Sequence, residues 1–294
     1  MRVAITGASG FVGRALAEAL RARGDEPVAA RRSGDAALRW STADGFTPSN
    51  ALSGFDAVVH LAGENIASGR WTDARKARIK ASRVEGTRRV VEALKAADPR
   101  PATLVSISAV GYYGTPGGTE LDEDAPAGTD FLADVCAAWE AEAVEAEALG
   151  VRVARLRLGT VLGVGGGALG KMLPAFKLGV GGRLGDGDQY MSWVHLEDVV
   201  RAILYVLDDA NCSGPYNVTA PTPVPNRDFT KTLGKVLGRP TVLPVPKFAL
   251  RAAFGEMADH ILLQGQRVVP TRLRAAGFAF EHAELEAALT DALG

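Results

Sequence analysis

Gly7, Gly10 and Gly13 recur at the spacing Gly-x-x-Gly-x-x-Gly, between a short apolar stretch, Val3 to Ile5, and a stretch of helical periodicity, Phe11 to Arg23. Three glycines in that position suit phosphate chemistry. The first permits a tight turn, the second lets backbone approach a pyrophosphate, and the third lets a helix pack close to a strand. The helix start then presents unpaired N–H groups and the positive end of its dipole to the anion. Gly7, Ser9, Gly10, Phe11, Val12 and Gly13 are therefore the candidates for holding a dinucleotide. In a chain with 34 glycines the triplet alone is weak; its place directly after a strand and before an amphipathic helix gives it weight. Glu26 to Arg32, beyond Gly24, reads as the second strand of the unit. A carboxylate at its end would hold the ribose hydroxyls of NAD, whereas this chain offers Arg31, Arg32 and Ser33, which suit a 2′-phosphate. The expected cofactor is NADP(H).

The elements that must position these residues alternate between strand and helix. Asp56 to Leu61 is continuous in apolar residues, as a strand covered on both faces requires, and the small residues Ala62 and Gly63 at its end let backbone lie against a cofactor. A long helix, Trp71 to Lys95, starts at Thr72 and carries a cationic run read as a solvated face. The strand Thr103 to Ile107 places Ser106 and Ser108 at its end, where open parallel sheets hold their ligands. An amphipathic helix, Phe131 to Leu149, begins at the cap Asp130, and the strand Val151 to Leu158 follows it. This alternation predicts an α/β fold, a Rossmann-type doubly wound parallel sheet.

From Gly159 the composition shifts to glycine-rich loops around a short helix, Met172 to Leu178. Gly165 to Lys171 nearly spells a phosphate loop, but Met172 follows it and no strand enters it directly, so it reads as a mobile loop over the site. Asp186 and Asp188 lack the companions of a calcium loop, and no metal site is expected. Tyr190 to Ala202 reads as a strand entering a helix opened by His195, with Asp198 in its first turn. Pro215 to Thr219 reads as a strand, Asn226 as the cap of a helix ending at Gly238, and Phe248 to Leu263 and Glu284 to Leu293 as the last helices.

The 294 residues, 47% of them hydrophobic, supply a sizeable core. With 33 basic and 34 acidic residues the net charge is −1, so no global field draws the chain to nucleic acid or an anionic membrane, and a small molecule is the expected partner. Two cysteines, Cys136 and Cys212, are too few for a disulfide framework and fit a reducing cytoplasm. No signal segment precedes the first strand, and no apolar run reaches the roughly 18 residues of a membrane span.

TGASGFVG resembles the signature of extended short-chain dehydrogenases/reductases, the group of nucleotide-sugar epimerases and dehydratases. His60-Leu61-Ala62-Gly63 is similar to that family's motif at the fourth strand, which acts through backbone and leaves His60 structural. SISAVGYYG resembles the segment in which the family places a substrate-binding hydroxyl; the resemblance makes Ser108 the first choice and Ser106 the second, with Tyr112 and Tyr113 beside them. It also implies a Tyr-x-x-x-Lys acid/base pair on the helix from Phe131, and that stretch has neither residue. A proton would have to come from Tyr113, Cys136, Glu140 or water. The closing segments LPVPKFALRAAFGEMA, QRVVPTRLRAAGFAF and LEAAL resemble an epimerase-like subfamily, sometimes labelled cell-division-inhibitor-like.

The resemblance implies an NADP-binding domain over residues 1–160, to which later segments such as 190–210 return. A smaller α/β substrate-binding region spans 161–294, including the subfamily-specific segment 244–294. A homodimer through the long helix is a family habit that charge spacing alone does not carry. Two functions stay open: an NADP-dependent oxidoreductase or epimerase-like enzyme on a small carbonyl, alcohol or nucleotide-sugar substrate, and a non-catalytic NADPH-binding sensor or scaffold.

Overall fold

The computed structural model describes residues 1–32 and 37–294. Its first half runs β1 (Arg2–Thr6), α1 (Phe11–Ala22), β2 (Glu26–Arg31), β3 (Leu38–Ser41), β4 (Gly45–Thr47), β5 (Ala57–His60), α2 (Asp73–Ala96), β6 (Thr103–Ala109), β7 (Glu120–Leu121), α3 (Phe131–Val144) and β8 (Arg152–Leu158). The second half runs β9 (Thr160–Leu162), α4 (Gly167–Lys177), β10 (Tyr190–Met191), β11 (Trp193–His195), α5 (Leu196–Asp208), β12 (Gly214–Val218), β13 (Val224–Pro225), α6 (Asn226–Leu237), α7 (Lys247–Phe254), β14 (Arg267–Val268), α8 (Thr271–Ala275) and α9 (Leu285–Leu293).

Eight strands form the main sheet in the order β12-β8-β6-β5-β1-β2-β3-β4. Every pairing in it is parallel except that of β3 with β4. Successive strands extend one way from β1 through β2 and the other way through β5, so the order reverses between β1 and β5. Crossover loops part there and leave a crevice at the carboxyl ends of the strands. The sheet is apolar through its thickness: Val3, Ile5, Val59, Val105 and Leu156 pack with α1 and α5 on one face, and Ala4, Val58, Leu104 and Val153 with the α2 side on the other.

Side-chain caps mark the starts of α2 and α3. Thr72 Oγ1 accepts the Arg75 N–H at 3.2 Å and Asp130 Oδ1 accepts the Ala133 N–H at 2.9 Å, which opens α2 and α3. The cationic run of α2 is largely ion-paired within the chain, Lys76 with Glu256, Arg88 with Glu142 and Arg75 and Arg78 with Glu64. Among the described residues no helix is long and apolar enough to cross a membrane.

Several elements differ from the sequence expectation, among them α3, which stops at Val144 short of Leu149. β6 runs on to Ala109, so Ser106 lies inside the strand. α4 starts at Gly167, well before Met172. The helix expected over Phe248 to Leu263 ends before Gly255, whose φ of +62° turns the chain, and a π turn follows at Ala258–Leu262. Asn226 is the first residue of α6 and does not cap it; its Oδ1 accepts the Leu184 N–H at 2.8 Å and fastens α6 to the preceding loop. The closing segment also straddles the two regions: Leu273 and Phe278 enter the main core, while Leu285, Ala288 and Leu289 enter the second core with Trp193 and Phe229.

His60 closes β5 wholly buried, with its Nδ1 2.6 Å from Thr6 Oγ1 and its ring edge-on to Trp40. Burial pushes its imidazole down to about 4. The unfolded chain therefore takes up a proton near 6.5 that the folded protein refuses until about 4, and the stability held above 6.5 is lost as pH falls through that window. Thermal midpoints measured from pH 7 to 4 should fall for the wild type and fall less steeply for His60→Asn; equal slopes would acquit His60.

Candidate functional site

The glycine turn is a three-way backbone contact. Gly7 sits at φ +71°, and a Cβ on it would lie 2.8 Å from the Leu61 carbonyl carbon and 2.9 Å from the Ala62 nitrogen. A Cβ on Gly13 would lie 2.3 Å from the Gly7 carbonyl oxygen. These two glycines press the start of α1 onto the end of β1 and the end of β1 onto the loop after β5. Gly10 is exposed and donates its N–H to Gly7 O at 2.9 Å. Unlike α2 and α3, α1 has neither a side-chain cap nor an acid in its first turn. Its first N–H groups and dipole are left for a ligand.

A cleft of about 1080 Å³ opens over this turn. It is lined by Gly7, Ser9 and Gly10 of the turn after β1, by Arg31 and Arg32 at the end of β2, and by Leu61, Ala62 and Gly63 after β5. Arg31 and Arg32 are exposed and have no carboxylate partner among the described residues; Ser33 lies outside them. Phe11 and Val12 do not send side chains into the cleft. Val12 packs on the main core, and the Phe11 ring is wrapped by the second glycine-rich loop, where a Cβ on Gly163 or Gly166 would come within 2.9 or 2.6 Å of it. That loop, expected to be mobile, is glycine-rich because an aromatic ring fills the space its side chains would need. Sequence reasoning missed Trp40, Thr42, Arg14 and Ser82, which also line the cleft. Arg14 and Ser82 lie on helix faces that read as solvated.

The hydroxyls expected at the substrate end are engaged elsewhere. Ser106 is buried within β6, opposite His60 in register, and does not line the cleft. Ser108 Oγ donates to Glu140 Oε1 at 2.7 Å. Both oxygens of Glu140 face Arg157 of β8, at 2.8 and 2.9 Å. Arg157 also donates to the Tyr113 hydroxyl at 2.8 Å, and that hydroxyl donates to Asn217 Oδ1 at 2.7 Å. Ser108 and Tyr113 are 2% and 3% exposed. Burial pushes the Tyr113 phenol up to about 12 against the pull of Arg157, and pushes the Cys136 thiol up to about 12 against the pull of Arg83. Neither group exchanges a proton near neutral pH. Ser108, Tyr113 and Glu140 are thus parts of one buried polar network whose other members lie on distant segments. The arginines of Val151 to Leu158 were its visible signal, since a charge inside a central strand must find a partner.

A second network ties the tail to the sheet. Asp198, wholly buried in the first turn of α5, accepts the Glu281 and His282 N–H groups at 2.9 and 3.0 Å and faces Arg201. Beside it His195, Glu197, His282 and Asp291 bring ligand-type atoms within 4.8 Å of one another. His195 Nδ1 accepts the Glu197 N–H at 3.3 Å, which leaves the proton on Nε2 facing Asp291 at 3.4 Å; His282 Nε2 pairs with Glu197 at 3.0 Å. This tautomer, assigned from the hydrogen bonds, satisfies the cluster internally.

Two substitutions separate these roles. Gly10→Val should abolish binding of a dinucleotide, measured by titration calorimetry, while circular dichroism stays that of the wild type, because Gly10 is exposed and non-helical. Wild-type affinity in a folded variant would move the ligand off this turn. Tyr113→Phe should lower stability by about 1–3 kcal/mol in urea denaturation and leave dinucleotide affinity unchanged, since it strips Asn217 and Arg157 of a buried partner; a loss of affinity at unchanged stability would return Tyr113 to the site.

The geometry can be set beside known proteins. Residues 3–219 match the model of the NAD dependent epimerase/dehydratase family, and residues 245–292 match a domain of unknown function. Epimerase family protein Mb2239 of Mycobacterium bovis is 46% identical, covering 98% of this chain and 96% of its own. The crystal structure of human epimerase family protein SDR39U1 (isoform 2) with NADPH superposes with a TM-score of 0.90 at 35% identity, covering 99% of both chains. A nucleoside-diphosphate sugar epimerase from Corynebacterium glutamicum gives 0.83 at 34% identity, covering all of this chain and 58% of that one. With a family model spanning most of its length and relatives matched nearly end to end, the chain belongs to the NAD dependent epimerase/dehydratase family.

Proposed function

We propose that this protein is a cytoplasmic NADPH-dependent oxidoreductase or epimerase-like enzyme of the extended short-chain dehydrogenase/reductase type, acting on a small carbonyl or alcohol compound. The observation that carries this reading is one continuous cleft lined by an uncapped helix start and by two arginines that have no carboxylate partner among the described residues. A dinucleotide phosphate fits it: the α1 N–H groups would hold the pyrophosphate, Arg31 and Arg32 the 2′-phosphate, and the backbone of Leu61 to Gly63 would lie along the remainder. The human relative crystallised with NADPH supports the choice of cofactor. When bound, NADPH supplies a hydride. The chain's own contribution is to bind and orient, and a proton would reach the substrate from water.

One observation favours a second reading, a sensor or scaffold without turnover. Leu132 and Cys136 lie four residues apart on the face of α3 turned to the turn after β6, within 3.9 Å of where a Cβ on Gly111 would stand, and neither is an acid or base near neutral pH. The two readings part in a hydride-transfer assay across a panel of small carbonyls, in which turnover decides for the enzyme and its absence beside tight NADPH binding decides for the sensor. The cofactor assignment has its own test. Arg31→Ala and Arg32→Ala should each weaken NADPH binding about ten- to a hundred-fold, the loss of a charge-assisted contact of roughly 1.5–3 kcal/mol, and leave NADH binding nearly unchanged. Equal losses for both cofactors would overturn it.

A further inference from the structure

Arg83 stands apart among the guanidinium groups near the inner end of the cleft. It follows the cleft-lining Ser82 on α2, and its Nη1 donates to the carbonyl oxygens of Glu64 at 3.1 Å and Ile79 at 3.2 Å. Its guanidinium carbon lies 5.1 Å from the centre of the Trp139 ring on α3. A Cβ on Gly63 would meet that carbon at 3.4 Å and Nη2 at 3.5 Å, so the group presses against the backbone that floors the cleft. β5 pairs with β6 at His60 and Ser106, and Gly63 and Ala109 each come three residues later, at the carboxyl edge of the sheet.

The hydrogen-bond partners of Arg83 are neutral, and among the described residues no carboxylate comes within ion-pair distance of it. The nearby acid, Glu64, is turned to Arg75 at 3.7 Å and Arg78 at 3.5 Å. Arg157, on the other side of α3, makes the contrast, since it is met by both oxygens of Glu140. A guanidinium largely out of water, whose nearest acid, Glu64, acts on it only at a distance and is shared with Arg75 and Arg78, is under-compensated, and a bound anion would lessen the cost. An arginine keeps its proton at every working pH, and its planar fork matches a carboxylate.

We propose that Arg83 is an anion-binding residue of the substrate end of the cleft, delivered by α2 to the level where α3 presents Leu132 and Cys136, and that the substrate carries a carboxylate. The inference rests on the reading above, in which the dinucleotide takes the rest of the cleft. It separates this chain from enzymes that place an exchangeable proton there, because Arg83 holds charge and gives no proton up.

The test uses the wild-type protein saturated with NADPH and two unreactive probes of nearly equal size, oxamate, which has a carboxylate, and oxamide, which is neutral. Their binding is read from the fluorescence of the bound cofactor. Oxamate should bind about tenfold or more tighter than oxamide, Arg83→Gln should bring the two within about twofold, and NADPH affinity and the thermal midpoint of the variant should stay close to wild type. Arg83→Lys, which keeps the charge and loses the fork, should retain part of the preference, and it replaces Arg83→Gln as the deciding variant if the latter does not fold. No preference in the wild type, or a preference left intact by the deciding variant, overturns the proposal. Failure of the wild type to bind NADPH removes the reading beneath it and the proposal with it, whereas NADPH binding without anion preference removes the proposal alone.

Discussion

The Gly7 carbonyl oxygen lies so close to Gly13 that a single added carbon there would stand 2.3 Å from it, and one on Gly7 itself would stand 2.8 Å from the Leu61–Ala62 peptide. Real side chains do not tolerate such distances, so the meeting of β1, α1 and the loop after β5 exists only as bare backbone. The cleft inherits its shape from that contact. Because α1 is drawn down onto β1, its uncapped start stands at the crevice where the strand order reverses and offers a ligand unpaired peptide N–H groups. The same helix start carries Phe11, around which Gly163 and Gly166 close, so the glycine turn also positions the loop that leads to α4.

Polar groups inside the sheet determine how the later segments return to it. The Arg157–Glu140 pair is buried on both sides, 3% and 4% exposed in its side chains. A pair of that kind adds little stability over a well-packed apolar pair, but removing one partner leaves a bare charge and costs about 3–5 kcal/mol. Its value lies in specificity. Through Tyr113 and Asn217 the network reaches Glu123, which accepts the N–H groups of Asn217 at 2.9 Å and Arg272 at 3.2 Å, and so seats α8 on β12. Burial raises the Glu123 carboxyl, and the backbone N–H bonds oppose that rise. Asp198, in the first turn of α5, does the same for Glu281 and His282. The tail is held by two buried carboxylates that read its backbone.

The chemistry of the cleft follows from which charges were left unanswered. Arg157 and Arg201 have carboxylates; Arg31, Arg32 and Arg83 have none among the described residues, and all three stand at or against the cleft. These permanent positive charges are what the proposed anion contacts rest on, while the helix on which the extended short-chain pattern would place a titrating phenol and a lysine carries neither.

Much of this was legible in the amino-acid order because it depends on neighbours in the chain. The apolar run of β1, the glycine spacing, the periodicity of α1, the caps Thr72 and Asp130 and the arginines ending β2 are local patterns with local causes, and they sufficed for the doubly wound sheet and for several of the residues that line its cleft. The ends of elements were less legible: β6 runs two residues past its expected end because β8 continues to pair with it through Ala109 and Leu158. The roles of the hydroxyls were not legible at all. Ser108 has its partner 32 residues away and Tyr113 has one 104 residues away. Whether a hydroxyl meets substrate or a buried carboxylate depends on what the fold packs against it, and Arg83, an ordinary cation on a charged helix in the sequence, becomes a site residue only when α2, α3 and the loop after β5 converge on it.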